Sequence, residues 1–82
     1  MADKFILEFA QLIADKPEDI HVLREDIDDG FSEIIVRADK GDTGKLIGKD
    51  GKMINSLKSI ISGCKAKEGR SYRVTIKSND EQ

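Results

Sequence analysis

Apolar residues recur along this chain with two different periods. Over residues 3–15, Phe5, Phe9, Leu12 and Ile13 fall on one helical face with Ile6 and Ala10 beside them, the spacing of an amphipathic helix. Pro17 removes a backbone donor and disfavours helical geometry in its predecessor, so this helix is expected to finish at Asp15 or Lys16. The β-branched runs Ile20–Ile27 and Phe31–Ala38 flank Asp28-Asp29-Gly30, which predicts a hairpin. The first run alternates poorly, as an edge strand does. Further on, Asp42 or Thr43 is placed to cap a short helix reaching Leu46-Ile47, and Met53, Ile54, Leu57, Ile60 and Ile61 form a second helical stripe. Gly63 is expected to close that helix in the left-handed conformation. Ser71–Lys77 alternates strictly, with Tyr72, Val74 and Ile76 on one face of a half-buried strand. The polar stretch Ser78–Gln82 is expected to be a mobile tail, leaving residues 1–77 as one domain.

The predicted order is therefore α-β-β-α-α-β, an α+β fold. A hairpin makes the first two strands antiparallel, and the two-helix connection is long enough to bring the third in parallel to the second. The simplest packing is a three-stranded mixed sheet with three helices on one face.

Composition narrows the function. At 82 residues, 38% apolar and 37% charged, the chain suits one small globular domain with a modest core, which favours stabilisation by a second subunit. One cysteine, Cys64, and one histidine, His21, exclude an internal disulfide and a Cys/His-built zinc site, and nothing implies a cofactor. The lone thiol, the absence of a long apolar run and a start at Met1-Ala2-Asp3-Lys4 unlike a secretory signal give a cytoplasmic expectation without membrane attachment. The net charge of −2 hides an asymmetry: residues 1–39 carry 4 Lys/Arg and 11 Asp/Glu, residues 40–77 carry 10 and 3. Such a chain can offer a cationic face to a polyanion, although charge alone favours two ordinary solvated halves that pair with each other.

The segment Gly44-Lys45-Leu46-Ile47-Gly48-Lys49-Asp50-Gly51-Lys52-Met53-Ile54 concentrates three of the seven glycines. A Walker A loop needs four residues between its glycines and a hydroxyl residue after its lysine, whereas Gly44 and Gly48 enclose three and Asp50 follows Lys49. The Rossmann fingerprint needs glycine where Leu46 stands. What fits is a GxxG loop, Gly48-Lys49-Asp50-Gly51, between two helices. Its glycines permit a tight turn and close backbone approach, the following helix offers its N-terminus to a phosphate, and Lys45, Lys49 and Lys52 supply charge.

Leu46-Ile47-Gly48-Lys49-Asp50-Gly51-Lys52-Met53-Ile54 resembles the signature of the KH family of RNA-binding domains, departing only at Leu46, where the family has Val or Ile. Two elements ahead of a β-α-α-β core and five residues after it match the type II order, and the whole chain is similar to the small bacterial stand-alone KH proteins of the KhpA family. This resemblance implies single-stranded RNA as partner. Gly48, Lys49, Asp50 and Gly51 would clamp the sugar-phosphate backbone, Lys45 and Lys52 would flank it, and Ile47, Ile54 and Leu57 would floor an apolar groove for bases. It also implies a post-transcriptional regulator or RNA chaperone affecting cell elongation and division, working as a homodimer or with a Jag-type partner, KhpB. Asp50 stands where many KH loops are basic or neutral, so weak binding is expected.

The remaining residues are bland. Ile47, Ile54 and Leu57 are expected to be partly core, His21 lacks any nucleophile or acid to work with, and Cys64 reads as an inert thiol despite Lys65. Four aromatics, three of them expected to be buried, are too few for recognition by base stacking. No acid, base and nucleophile set points to an enzyme or a small-molecule substrate. The rival to RNA binding is an adaptor that keeps the KH fold and acts through dimerisation.

Overall fold

A computed structural model describes residues 2–63 and 69–80. Its elements are α1 (Ala2–Ile13), a 3₁₀ turn at Pro17–Asp19, β1 (His21–Asp28), β2 (Phe31–Ala38), α2 (Lys40–Ile47), a second 3₁₀ turn at Lys49–Gly51, α3 (Lys52–Ser62) and β3 (Ser71–Ser78). The strands lie in the order β1-β2-β3, with β1 antiparallel and β3 parallel to the central β2. This is the mixed sheet and α-β-β-α-α-β order expected.

Side-chain alternation divides the sheet into a covered and an open face. Ser32, Ile34, Val36 and Ala38 are buried on β2, Val74 on β3, and Val22, Tyr72 and Ile76 pack at the margin. Against them lie Ile6 and Ala10 of α1, Leu46 of α2, and Leu57 and Ile61 of α3. Even-numbered strand residues thus face the helices.

The inward face of α1 differs from the expected stripe. Ile6 and Ala10 are buried, Phe9 and Ile13 only half so, while Phe5 is 39% and Leu12 87% exposed. Two apolar stripes overlap on this helix, and a three-stranded sheet is wide enough to cover only one. The helix also stops two residues short of Asp15, and none of the four aromatics is fully buried.

The junction between α1 and α2 explains the early stop. Asp39, not Asp42 or Thr43, caps α2 by accepting from the Gly41 N–H at 2.9 Å. Asp42, 2% exposed, instead accepts from the backbone N–H groups of Asp15 and Lys16 at 3.0 Å each. Its carboxyl is held below the ordinary range chiefly by those two bonds, with Lys45 and Lys16 adding attraction.

The hairpin is tighter than its sequence suggests. Asp28 accepts from the Gly30 N–H at 2.8 Å, a bulge falls between Asp26 and Asp28, and Gly30 keeps a negative φ. Arg70 locks the turn from across the sheet, donating to the carbonyls of Asp28 and Asp29 at 3.0 Å and to Ser32 Oγ at 2.8 Å. At the other end the polar stretch expected to be mobile begins as sheet. Ser78 is buried in β3, Asn79 N–H donates to the Ala38 carbonyl, and the Asn79 side chain donates to the Asp19 carbonyl. Gly63 is right-handed (φ −65°, ψ −24°), so α3 ends without the left-handed cap expected. Cys64 and Lys65 lie outside the described residues.

Candidate nucleic-acid interface

The turn between α2 and α3 is built on backbone conformations that ordinary side chains resist. Gly48 ends α2 at φ 80°, ψ 168°, with its N–H donating to the Gly44 carbonyl at 2.8 Å. Asp50 (φ 56°) and Gly51 (φ 74°) are left-handed, and the Gly51 N–H returns to the Gly48 carbonyl at 3.1 Å. Three positive-φ residues in four positions fold the chain back within one 3₁₀ turn, so α3 starts against the end of α2. The fit is close: a Cβ on Gly48 would stand 2.6 Å from Met53 Cβ and 2.7 Å from Met53 N. Gly51 has more room, its nearest neighbour being Asn55 Nδ2 at 3.6 Å.

This turn displays Lys49 and Asp50 to solvent at its tip, with Lys52 exposed on the first turn of α3. No side chain caps α3, whose N-cap is Gly51 itself, so first-turn N–H groups face outward beside the lysines. Ile47, 38% exposed, and the half-buried Ile54 form an apolar lip beside the loop.

Two of the expected site residues are placed differently. Leu57, 4% exposed, belongs to the hydrophobic core, because α3 turns that side toward the sheet. Lys45 is exposed one turn before the loop and is engaged in an ion pair with Asp15 beyond the end of α1. Its charge is partly spent within the fold.

On the sheet side of α3 a shallow depression is lined by Ile61, Ser62, Arg70, Ser71 and Tyr72. Sequence reasoning missed it, since it joins the end of α3 to the start of β3 and no local pattern marks it; the basic residue just before a strict strand was the available signal. Among the described residues no group of three or more His, Cys, Asp and Glu is placed to hold a metal ion, and no helix is long and apolar enough to cross a membrane.

Two helices joined by a left-handed GxxG turn, set between parallel strands and preceded by a helix and an antiparallel strand, define a KH domain. The profile of the KhpA/KhpB KH domain matches residues 3–76. Among relatives, the chain is 36% identical over 70 residues to RNA-binding protein KhpA of Halalkalibacterium halodurans, covering 82% of this chain and 87% of that protein. It is 30% identical over 67 residues to RNA-binding protein KhpA of Clostridium perfringens, covering 82% and 88%. This chain belongs to the KhpA/KhpB family of KH domains. The fold also matches solved structures of Era at 17% identity, over 94% of this chain and 29% of theirs. One is Aquifex aeolicus Era bound to GDP and aluminium fluoride, with a TM-score of 0.66. The other is Era with MgGDPNP and nucleotides 1506–1542 of 16S ribosomal RNA, with a TM-score of 0.67.

Proposed function

We propose that this protein binds single-stranded RNA, without catalysis, through the Gly48–Gly51 loop and the apolar lip beside it. The observation that carries this reading is the left-handed turn itself: its backbone geometry narrows the loop until only main chain and the Lys49 and Asp50 side chains project from it. A narrow loop of this kind lets phosphates approach backbone N–H groups closely. The KhpA relatives carry RNA binding in their names, and an Era structure holds ribosomal RNA nucleotides, which supports the same partner here. Lys49 and Lys52 supply the charge, Lys45 joins only by exchanging Asp15 for a phosphate, and Ile47 and Ile54 contact bases. Acting on RNA in the cytoplasm, such a protein works as a regulator or chaperone of transcripts for cell elongation and division, as a homodimer or with a Jag-type KhpB partner. The adaptor reading draws on one observation: Leu12, Leu23 and Ile60 are each more than half exposed on a chain this short.

Two substitutions test the loop. Lys49→Asp is expected to abolish binding to a fluorescent single-stranded oligonucleotide while leaving circular dichroism and the melting temperature unchanged, since Lys49 is exposed at the tip of the loop. Binding as tight as the parent's would shift weight to the adaptor reading. Asp50→Asn keeps a residue that tolerates the left-handed conformation and removes a carboxylate from phosphate reach. Its affinity should rise by about fivefold, the value of one unit charge at roughly 4 Å in water. Titrations at low salt decide this, and an unchanged affinity would place the phosphates elsewhere.

A further inference from the structure

The depression at the far end of α3 holds hydrogen-bonding capacity that the fold does not use. It has a volume of about 280 Å³ and is lined by Ile61, Ser62, Arg70, Ser71 and Tyr72. Ile61 and Tyr72 give it apolar wall, Ser62 and Ser71 give it hydroxyls, and Arg70 brings the only formal charge among the five. The Arg70 side chain is 19% exposed and fastened at three points. Its Nη1 donates to the Asp28 carbonyl at 3.0 Å and to Ser32 Oγ at 2.8 Å, and its Nη2 donates to the Asp29 carbonyl at 3.0 Å. A guanidinium carries five N–H donors in a rigid plane, so two remain, Nε–H and one on Nη2, without a partner among the described residues. With the Nη1–Nη2 edge spent on consecutive carbonyls, what is left is the adjacent Nε–Nη2 edge, a two-donor fork held in place by the hairpin.

Building on the RNA reading above, we propose that this depression is a subsite for one guanine base lying beyond the nucleotides held at the Gly48–Gly51 loop. Ile54, Lys58 and Ser62 follow one another at i, i+4 spacing along one side of α3, so the lip beside the loop continues past the exposed Lys58 to the depression. From Lys52 to Ser62 is ten residues, about 15 Å of helix. At ~3.4 Å per stacked nucleotide that is roughly four steps, the number a GxxG loop clamps, so the next base along the strand arrives at Arg70.

The chemistry of the recess selects a base over a phosphate, and guanine over the other bases. The Asp26 carboxylate stands 4.0 Å from Arg70 Nη1, and Asp28 and Asp29 follow on the same hairpin, so a phosphate would meet acidic side chains where a neutral base does not. The volume suits a single base, being just under the usual range of ligand pockets. Guanine offers O6 and N7 as two adjacent acceptors to a two-donor fork. Adenine sets an N–H donor beside its N7, cytosine offers a donor, and uracil has one acceptor on that edge. Ile61 and Tyr72 cover apolar surface of the base, and the Ser71 hydroxyl, which has no partner among the described residues, is placed to bond its rim.

Fluorescence anisotropy with single-stranded RNA octamers at fixed salt tests the subsite on the intact chain. An alternating guanosine-uridine octamer presents a guanine to the depression whatever its register, and should bind about tenfold tighter than octauridine, within the range of one bidentate arginine–guanine pair. Replacing its guanines by 7-deazaguanine removes N7 and keeps O6 and the backbone charge, and should bring the affinity to within about twofold of octauridine. Ser62→Phe fills the depression from an exposed helix end, so circular dichroism should be unchanged, the guanine preference lost and octauridine bound as before. Equal binding of the two octamers by the parent would overturn the subsite and leave the loop reading standing. A guanine preference that survives either 7-deazaguanine or Ser62→Phe would put guanine recognition elsewhere and overturn it as well. A parent that binds neither octamer would overturn the RNA reading and the subsite with it.

Discussion

Gly48→Ala is expected to remove more than half of the domain's folding stability and to weaken RNA binding with it. The residue sits at φ 80°, ψ 168°, a region open almost only to glycine, where a side chain costs about 1–3 kcal/mol in backbone strain alone. The added Cβ also lands 2.6 Å from Met53 Cβ and 2.7 Å from Met53 N. The second neighbour is backbone and cannot rotate aside, so α3 must move off α2 and the core contacts of Leu57 and Ile61 loosen. Together these effects should take at least ~3 kcal/mol from a domain with ~5 kcal/mol to lose. Gly51→Ala is the control: it is left-handed too, at φ 74°, but its Cβ has 3.6 Å of clearance. It should cost about 1–2 kcal/mol and leave a folded protein. Urea titrations of the pair decide the matter, and equal losses would show that helix packing at Met53 is not the constraint.

The second large effect is expected at Asp42. Asp42→Ala leaves the Asp15 and Lys16 N–H groups without their acceptor, a carboxylate on a residue only 2% exposed. Losing two charge-assisted bonds should lower the melting temperature by on the order of 10 °C in a domain this small. The pH dependence follows from the lowered carboxyl pKa. A group whose folded value is depressed contributes stability that is complete above its unfolded value of about 3.9 and is lost as pH falls through the folded value. The parent should therefore lose stability below pH 4 more steeply than Asp42→Asn, which cannot titrate. Melting curves at pH 7, 4 and 3 make the comparison, and parallel acid losses would place the acid-sensitive group elsewhere.

Much of the candidate site was legible because it is local. The Gly48-x-x-Gly51 spacing, the lysines around it and the aliphatic residues on either side lie within one short segment, and a turn between two helices is governed by backbone preferences of adjacent residues. Strand β3 was legible for the same reason: strict alternation of Tyr72, Val74 and Ile76 has only one reading. Leu57 was half legible. Helical spacing put it on the stripe with Ile54 and Ile61, but spacing cannot say which part of a stripe meets the sheet and which borders a groove.

The long-range partners were not legible. Asp42 reads as a helix cap because aspartate near a helix start usually is one, yet its hydrogen bonds reach chain positions 27 and 26 residues earlier. Arg70 looks like one more loop cation, although it fastens the turn at Asp28 and Asp29, some forty residues away. By itself the sequence determined the kinds of elements, their order and the loop that marks the family, since each depends on periodicity or backbone preference over a few residues. Tertiary structure alone decided which stripe of α1 turns inward, that Lys45 is tied to Asp15, and that Ile61, Arg70 and Tyr72 line one depression. Those outcomes depend on sheet width, strand register and the angle at which helices land, and each is fixed by contacts between residues far apart in the chain.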